Sequence, residues 1–95
     1  MMPKRPLRGY TNVRRDLLFV LAANGGESGA ELRRTLEQVQ GQQISETAIY
    51  GILDDFHDEG LVDKRRPNDR RKAFRLTKDG RRLLEDDLEW QREQL

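Results

Sequence analysis

The sequence predicts an α+β domain from three observations. Residues 28–59 read as two short amphipathic helices, each opened by a serine and separated by a polar turn. Residues 61–76 read as two strands, L-V-D-K-R and K-A-F-R-L, joined through R-P-N-D-R-R. Basic residues crowd that joint. Two packed helices followed by a hairpin with a cationic tip is the outline of a winged helix-turn-helix. The full expectation is a three-helix core, a two-stranded basic wing and a C-terminal helix available for dimerisation.

Ninety-five residues make one domain. It divides into a flexible basic arm over 1–10, the winged helix-turn-helix over 11–80 and the C-terminal helix over 77–95. The arm holds Pro3 and Pro6, carries Lys4, Arg5 and Arg8, and shows no periodicity. Such an arm could follow the minor groove or phosphates of a duplex. A first helix starts near Thr11 or Asn12, both suited to cap it. Val13, Leu17, Val20 and Leu21 form its core stripe, with Leu18 beside them and Phe19 off centre. Asn24-Gly25-Gly26 ends it.

Ser28 and Glu31 stand in capping-box spacing at the start of the second helix. Leu32, Leu36 and Val39 give its apolar stripe, and Gly41 stops it. Ile44 makes either a very short strand or a buried anchor. Ser45 caps the third helix, expected over 45–59. Ala48, Ile49, Ile52, Leu53 and Phe56 are its inward face, while Thr47, Tyr50, Gly51 and Asp54 lie on another. Gly60 ends it in the left-handed conformation. Leu61 and Val62 continue the core, Pro67-Asn68-Asp69 turns the hairpin, and Phe74 and Leu76 alternate with polar positions on the return. Thr77 caps the last helix. Leu84, Leu88, Gln91 and Leu95 recur at helical spacing on it, with Trp90 nearby. A domain this small offers that stripe little core, so Leu84, Leu88, Trp90, Gln91 and Leu95 are expected at a homodimer interface. The alternative is packing on the first helix.

Net charge is only +1, but the charge is segregated. Residues 64–82 carry ten basic and two acidic side chains, and residues 83–95 carry one basic and five acidic. A local cationic patch, rather than the sum, decides attraction to nucleic acid. In a helix-turn-helix the second helix of the pair enters the major groove by its N-terminal end. The expected contacts there are Gln42, Gln43, Ser45, Glu46, Thr47 and Tyr50. Glutamine can pair with adenine, and hydroxyls can meet base edges or phosphates. Glu46 either accepts from cytosine or only faces the positive helix end. Tyr50 either reaches a phosphate or packs its ring on the domain. Arg33 and Arg34, and Arg14 and Arg15, could add backbone contacts. Lys64, Arg65, Arg66, Arg70, Arg71 and Lys72 surround the hairpin tip, where a wing reaches phosphates or a narrow minor groove. Asp54, Asp55, Asp58 and Glu59 crowd the rear of the third helix, so that end must point away from DNA.

Three segments carry a family resemblance. G-A-E-L-R-R-T-L at residues 29–36, S-E-T-A-I-Y-G-I-L-D-D-F-H-D-E-G-L at 45–61, and R-K-A-F-R-L-T-K-D-G-R-R-L at 71–83 appear in order and at matching spacing. In these the chain resembles the PadR family of transcriptional regulators, with the broader MarR-like group sharing the outline. The resemblance implies a dimeric winged-helix protein, usually a repressor. It implies that Tyr50 contacts the operator backbone, that Lys72 and its neighbouring arginines belong to the wing, and that Leu84 and Leu88 belong to the dimerising helix. Ala30 stands where the family usually has an aromatic residue, and Asn68-Asp69 replaces the glycine expected in the wing. The C-terminal region is too short for the ligand-binding extension of larger members, which leaves a small-molecule effector open.

The expected function is therefore sequence-specific binding of double-stranded DNA at a palindromic operator. The alternatives are a winged-helix protein-interaction module and a nonspecific architectural DNA binder. Six cations around the wing disfavour the first, and the uncharged Gln42, Gln43 and Thr47 disfavour the second. The chain has no cysteine and a single histidine, His57, set among carboxylates. No catalytic group, metal or cofactor is expected. No apolar run reaches membrane-spanning length, so the expected location is the cytoplasm, at the nucleoid.

Overall fold

The computed structural model describes residues 12–65 and 72–94. Seven elements follow in order: α1 (Asn12–Ala23), β1 (Glu27–Ser28), α2 (Gly29–Gln40), α3 (Glu46–Asp58), β2 (Val62–Arg65), β3 (Ala73–Leu76) and α4 (Lys78–Glu93). This is a winged helix-turn-helix, as expected. The arm over 1–10, Thr11, the wing tip with Arg66, Arg70 and Arg71, and Leu95 lie outside the described residues.

The helix boundaries follow from their caps. The Ser28 side chain accepts from the Glu31 amide, and the Glu31 carboxylate accepts from the Ser28 amide at 2.9 Å, completing the capping box. Gly41 closes α2 with φ at 70°, where a side chain would be strained. At the end of α3 the Gly60 amide donates to the His57 carbonyl and the Leu61 amide to the Phe56 carbonyl at 2.8 Å. This is the Schellman arrangement, with Gly60 at φ 78°. It drops Leu61 back onto the core.

One layer of helices packs on one face of a small antiparallel sheet. Leu17, Leu18 and Leu21 from α1, Leu32 and Leu36 from α2, Ile49, Leu53 and Phe56 from α3, and Val62 and Phe74 from the strands are its most buried members. Ile44 is buried among them, which resolves its role as an anchor. Leu84 joins them from α4.

Three features differ from the expectations. The two-stranded wing stands as expected, but among the described residues it carries a third, two-residue strand that was not expected: Glu27 and Ser28 pair with Phe74 and Ala73, giving the order β1-β3-β2. The Gly26 amide extends this ladder to the Phe74 carbonyl at 2.7 Å. Val39 is 61% exposed. It sits in the last turn of α2, away from the core that Leu32 and Leu36 enter. Ala48 is also exposed, since the face of α3 turned to the core is centred on Ile49, Leu53 and Phe56.

Thr77 and Gly80 join the wing to α4. The Thr77 hydroxyl donates to the Gly60 carbonyl at 2.6 Å and accepts from the Gly80 amide at 3.0 Å. The Thr77 amide donates to the Leu61 carbonyl at 3.0 Å. A Cβ on Gly80 would collide with that same Leu61 carbonyl and come within 2.8 Å of Leu76 Cδ2. The backbone cannot yield cheaply there. Gly51, midway along α3, has nothing within 4 Å of the equivalent position.

The two glycines should therefore respond with opposite sign to the same change. Gly51→Ala should raise unfolding free energy by about 0.5–1 kcal/mol through helix propensity alone. Gly80→Ala should lower it by about 1–3 kcal/mol through overpacking. Urea denaturation of both variants checks this; stabilisation by Gly80→Ala would show that α4 does not approach Leu61 so closely.

Candidate nucleic-acid interface

The turn between α2 and α3 is held from inside by two charged side chains of α2. Glu37 accepts from the Ile44 amide at 2.7 Å, and an Arg33 guanidinium nitrogen donates to the Ile44 carbonyl at 3.4 Å. Arg33 and Glu37 lie one turn apart and 3.9 Å from each other. Ile44 also buries its side chain, so three groups of one residue are fixed. Ser45 follows at once and caps α3, accepting from the Ala48 amide at 3.1 Å. A second set of polar contacts braces the outside of the turn. Gln42 donates to Gln40 at 3.1 Å, and Gln40 donates to Asp16 of α1 at 2.6 Å.

This framework leaves the leading end of α3 bare. Gln42, Gln43, Ser45, Glu46 and Thr47 are all exposed, on either side of buried Ile44. Arg34 is exposed on α2. Arg33 differs from it: its side chain is half-buried, and its Nε is shielded from solvent without a hydrogen-bond partner. Tyr50 is half-buried. Its ring lies 6.3 Å from that of Phe74, tilted by 58°, and fills the space beside Gly29. A Cβ on Gly29 would fall 2.6 Å from two Tyr50 ring carbons. The ring thus packs on the domain while its hydroxyl makes no hydrogen bond among the described residues.

The acidic rear of α3 is partly neutralised. Asp54 lies 3.4 Å from the Lys64 ammonium, and Asp55 lies 2.6 Å from the Arg14 guanidinium. Exposed pairs of this kind contribute little stability, about 0.2–1 kcal/mol. Their electrical effect is local: each offsets one carboxylate at the trailing part of α3. Lys64 and Arg14 are therefore engaged with α3 in the free chain. Arg65 is exposed on β2 and Lys72 is half-buried before β3. Arg75, which the strand alternation placed outward, was not among the expected contacts. It is opposite Asp63 in the β2–β3 register, which puts it on the same sheet face as Arg65.

On α4, Leu84 is 5% exposed and packs in the chain's own core, the placement the alternative of packing within the chain expects. Leu88 and Trp90 are 48% and 38% exposed. Gln91 is exposed and donates to Asp87 at 2.6 Å. Asp87 is buried at 3% exposure, a placement the sequence pattern did not suggest. No group of three metal-ligating side chains stands together, and no helix is long and apolar enough to cross a membrane, among the described residues.

The fold and the bare leading end of α3 define a winged helix-turn-helix of the regulator type. The Transcriptional regulator PadR-like family matches residues 17–86, and the chain belongs to that family. Among solved structures, RosR of H. salinarum is 31% identical over 92% of this chain and 78% of its own, with a TM-score of 0.83. A RosR-S1 complex superposes equally well, at a TM-score of 0.84. MepR, a transcription regulator of the Staphylococcus aureus multidrug efflux pump MepA, shares the fold at 21% identity, over 88% of this chain and 59% of its own, with a TM-score of 0.75. No curated protein matches the sequence significantly.

The packing of Tyr50 separates its ring from its hydroxyl. Tyr50→Phe should leave unfolding free energy within about 0.5 kcal/mol of the parent. Gly29→Ala should cost about 1–3 kcal/mol, because the ring has to give way. Equal, large losses in both variants by thermal or urea unfolding would mean the hydroxyl is structurally bonded.

Proposed function

We propose that this chain is a sequence-specific, double-stranded DNA-binding transcriptional regulator, acting in the cytoplasm as a dimeric repressor on a palindromic operator. The observation that carries the reading is the polarity of α3. Its leading end offers uncharged hydrogen-bonding groups on Gln42, Gln43, Ser45 and Thr47, all exposed. Its trailing carboxylates Asp54 and Asp55 are tied to Lys64 and Arg14. Inserted by its leading end, such a helix presents donors and acceptors to base edges and keeps its negative charge at a distance. Glu46 is the one anion at the tip, placed either to accept from cytosine or simply at the positive end of the helix.

Positive charge for the phosphates comes from the wing and from α2. Arg65, Lys72 and Arg34 are the described contributors, with Arg66, Arg70 and Arg71 in the wing tip. Lys64 would have to leave Asp54 to reach a phosphate. The Tyr50 hydroxyl, held at the edge of the domain by its packed ring, is suited to a phosphate oxygen. Leu88 and Trp90 on the far end of α4 supply the exposed apolar surface through which a second copy would pair. A two-fold dimer would place its two α3 helices in successive major grooves, roughly 34 Å apart along one face of the duplex.

Selection from a pool of random duplexes, followed by titration across a salt series, tests this. A palindromic motif should emerge. For an Arg70→Ala/Arg71→Ala variant the log–log salt slope should flatten by about 2, at about 0.9 for each phosphate that is no longer neutralised. Salt-sensitive binding without a motif would instead indicate an architectural role. Absence of binding at low salt would overturn the DNA reading and favour a protein-interaction module.

A further inference from the structure

Arg33 belongs by sequence to a pair of basic residues on α2, and a phosphate contact is the obvious use for it. Its surroundings give it a different one. The side chain is 31% exposed, and that of Glu37 is 23% exposed. Glu37 takes the Ile44 amide at 2.7 Å, within the short range of charge-assisted bonds. Arg33 reaches the Ile44 carbonyl from the other side. Its Nε is sealed from water without a hydrogen-bond partner, so the group is not arranged as a fork open to a ligand. Neighbouring Arg34 is exposed, and the two arginines are not equivalent.

Resting on the DNA-binding reading, we propose that Arg33 and Glu37 are positioning residues for recognition. They clamp the backbone of Ile44 and so set the direction in which α3 leaves the turn, without touching DNA. Ser45 caps α3 immediately after the clamped residue. A shift of Ile44 therefore moves Ser45, Glu46 and Thr47 together. Base readout needs those groups held within a fraction of an ångström, whereas phosphate attraction tolerates looser placement. The clamp should thus govern discrimination between sequences more than attraction to any duplex.

The experiment compares the full chain with Arg33→Gln, Glu37→Ala, Glu37→Gln and Arg34→Gln on the selected operator and on an unrelated duplex of equal length. Arg33→Gln and Glu37→Ala should lower the operator preference by roughly tenfold or more, the scale of one misread base pair. Their salt slopes on the unrelated duplex should not change. Glu37→Gln, which keeps an oxygen acceptor, should recover most of the preference. Arg34→Gln should weaken both duplexes alike and flatten the slope by about 1. A flattened slope for Arg33→Gln, with both duplexes weakened equally, would make Arg33 a phosphate contact and overturn the proposal.

Amide exchange in the absence of DNA reads the clamp directly. Protection of the Ile44 amide should fall in Glu37→Ala while the amides of Leu32, Leu53 and Phe56 stay protected. Unchanged protection at Ile44 would also overturn it. Failure of the parent chain to prefer any duplex would remove the DNA reading itself, and the exchange result would still report on the clamp.

Discussion

Ile49, Leu53 and Phe56 are fully buried along one side of α3, and this constrains the rest of the structure. Each such side chain contributes about 1.5–3 kcal/mol by leaving water. Together they fix the rotation of α3 about its axis. Because one face is fixed inward, Thr47, Ala48, Gly51 and Asp54 must face out, and Tyr50 lies at the boundary. Its leading end is capped by Ser45 directly after buried Ile44, and at its trailing end the Gly60 turn leads into Leu61 and the strands.

The remaining elements act on the two ends of that helix. At the leading end, α2 contributes the Arg33 and Glu37 contacts to Ile44, and α1 contributes Asp16 through Gln40. At the trailing end, Lys64 and Arg14 lie against Asp54 and Asp55. The Leu61 carbonyl receives the Thr77 amide, so the same short stretch ends α3, begins the wing and anchors α4. The wing and the helix tip are thus braced from one framework. In such a design a regulator can keep a near-neutral chain and still present local charge where a phosphate backbone would lie.

Much of this was legible in the sequence because it depends on local chemistry. Ser28 with Glu31, Ser45, Thr77, Gly41 and Gly60 mark element ends through bonds within a few residues. The alternation around Phe74 and Leu76 gave the returning strand. What escaped depends on distant partners. The pairing of Glu27 and Ser28 with β3 involves two residues, too few for an alternating pattern. The exposure of Val39 follows from where the core stops, which helical spacing does not encode. Leu84 fitted a stripe equally suited to a neighbour or to its own core. Arg33 and Arg34 look alike as letters, and only the fold separates the residue that grips Ile44 from the one that faces solvent. The resemblance at residues 29–36, 45–61 and 71–83 identified the family, yet it did not reveal that difference.

Chemical-shift mapping of the backbone amides, with a selected duplex added to the labelled chain, tests the central claim about α3 most directly. The account predicts the largest changes at Gln42, Gln43, Ser45, Glu46 and Thr47 and in the wing strands, with little change at Asp58 and Glu59. Changes concentrated on the trailing end of α3, or confined to the exposed face of α4 around Leu88 and Trp90, would contradict it.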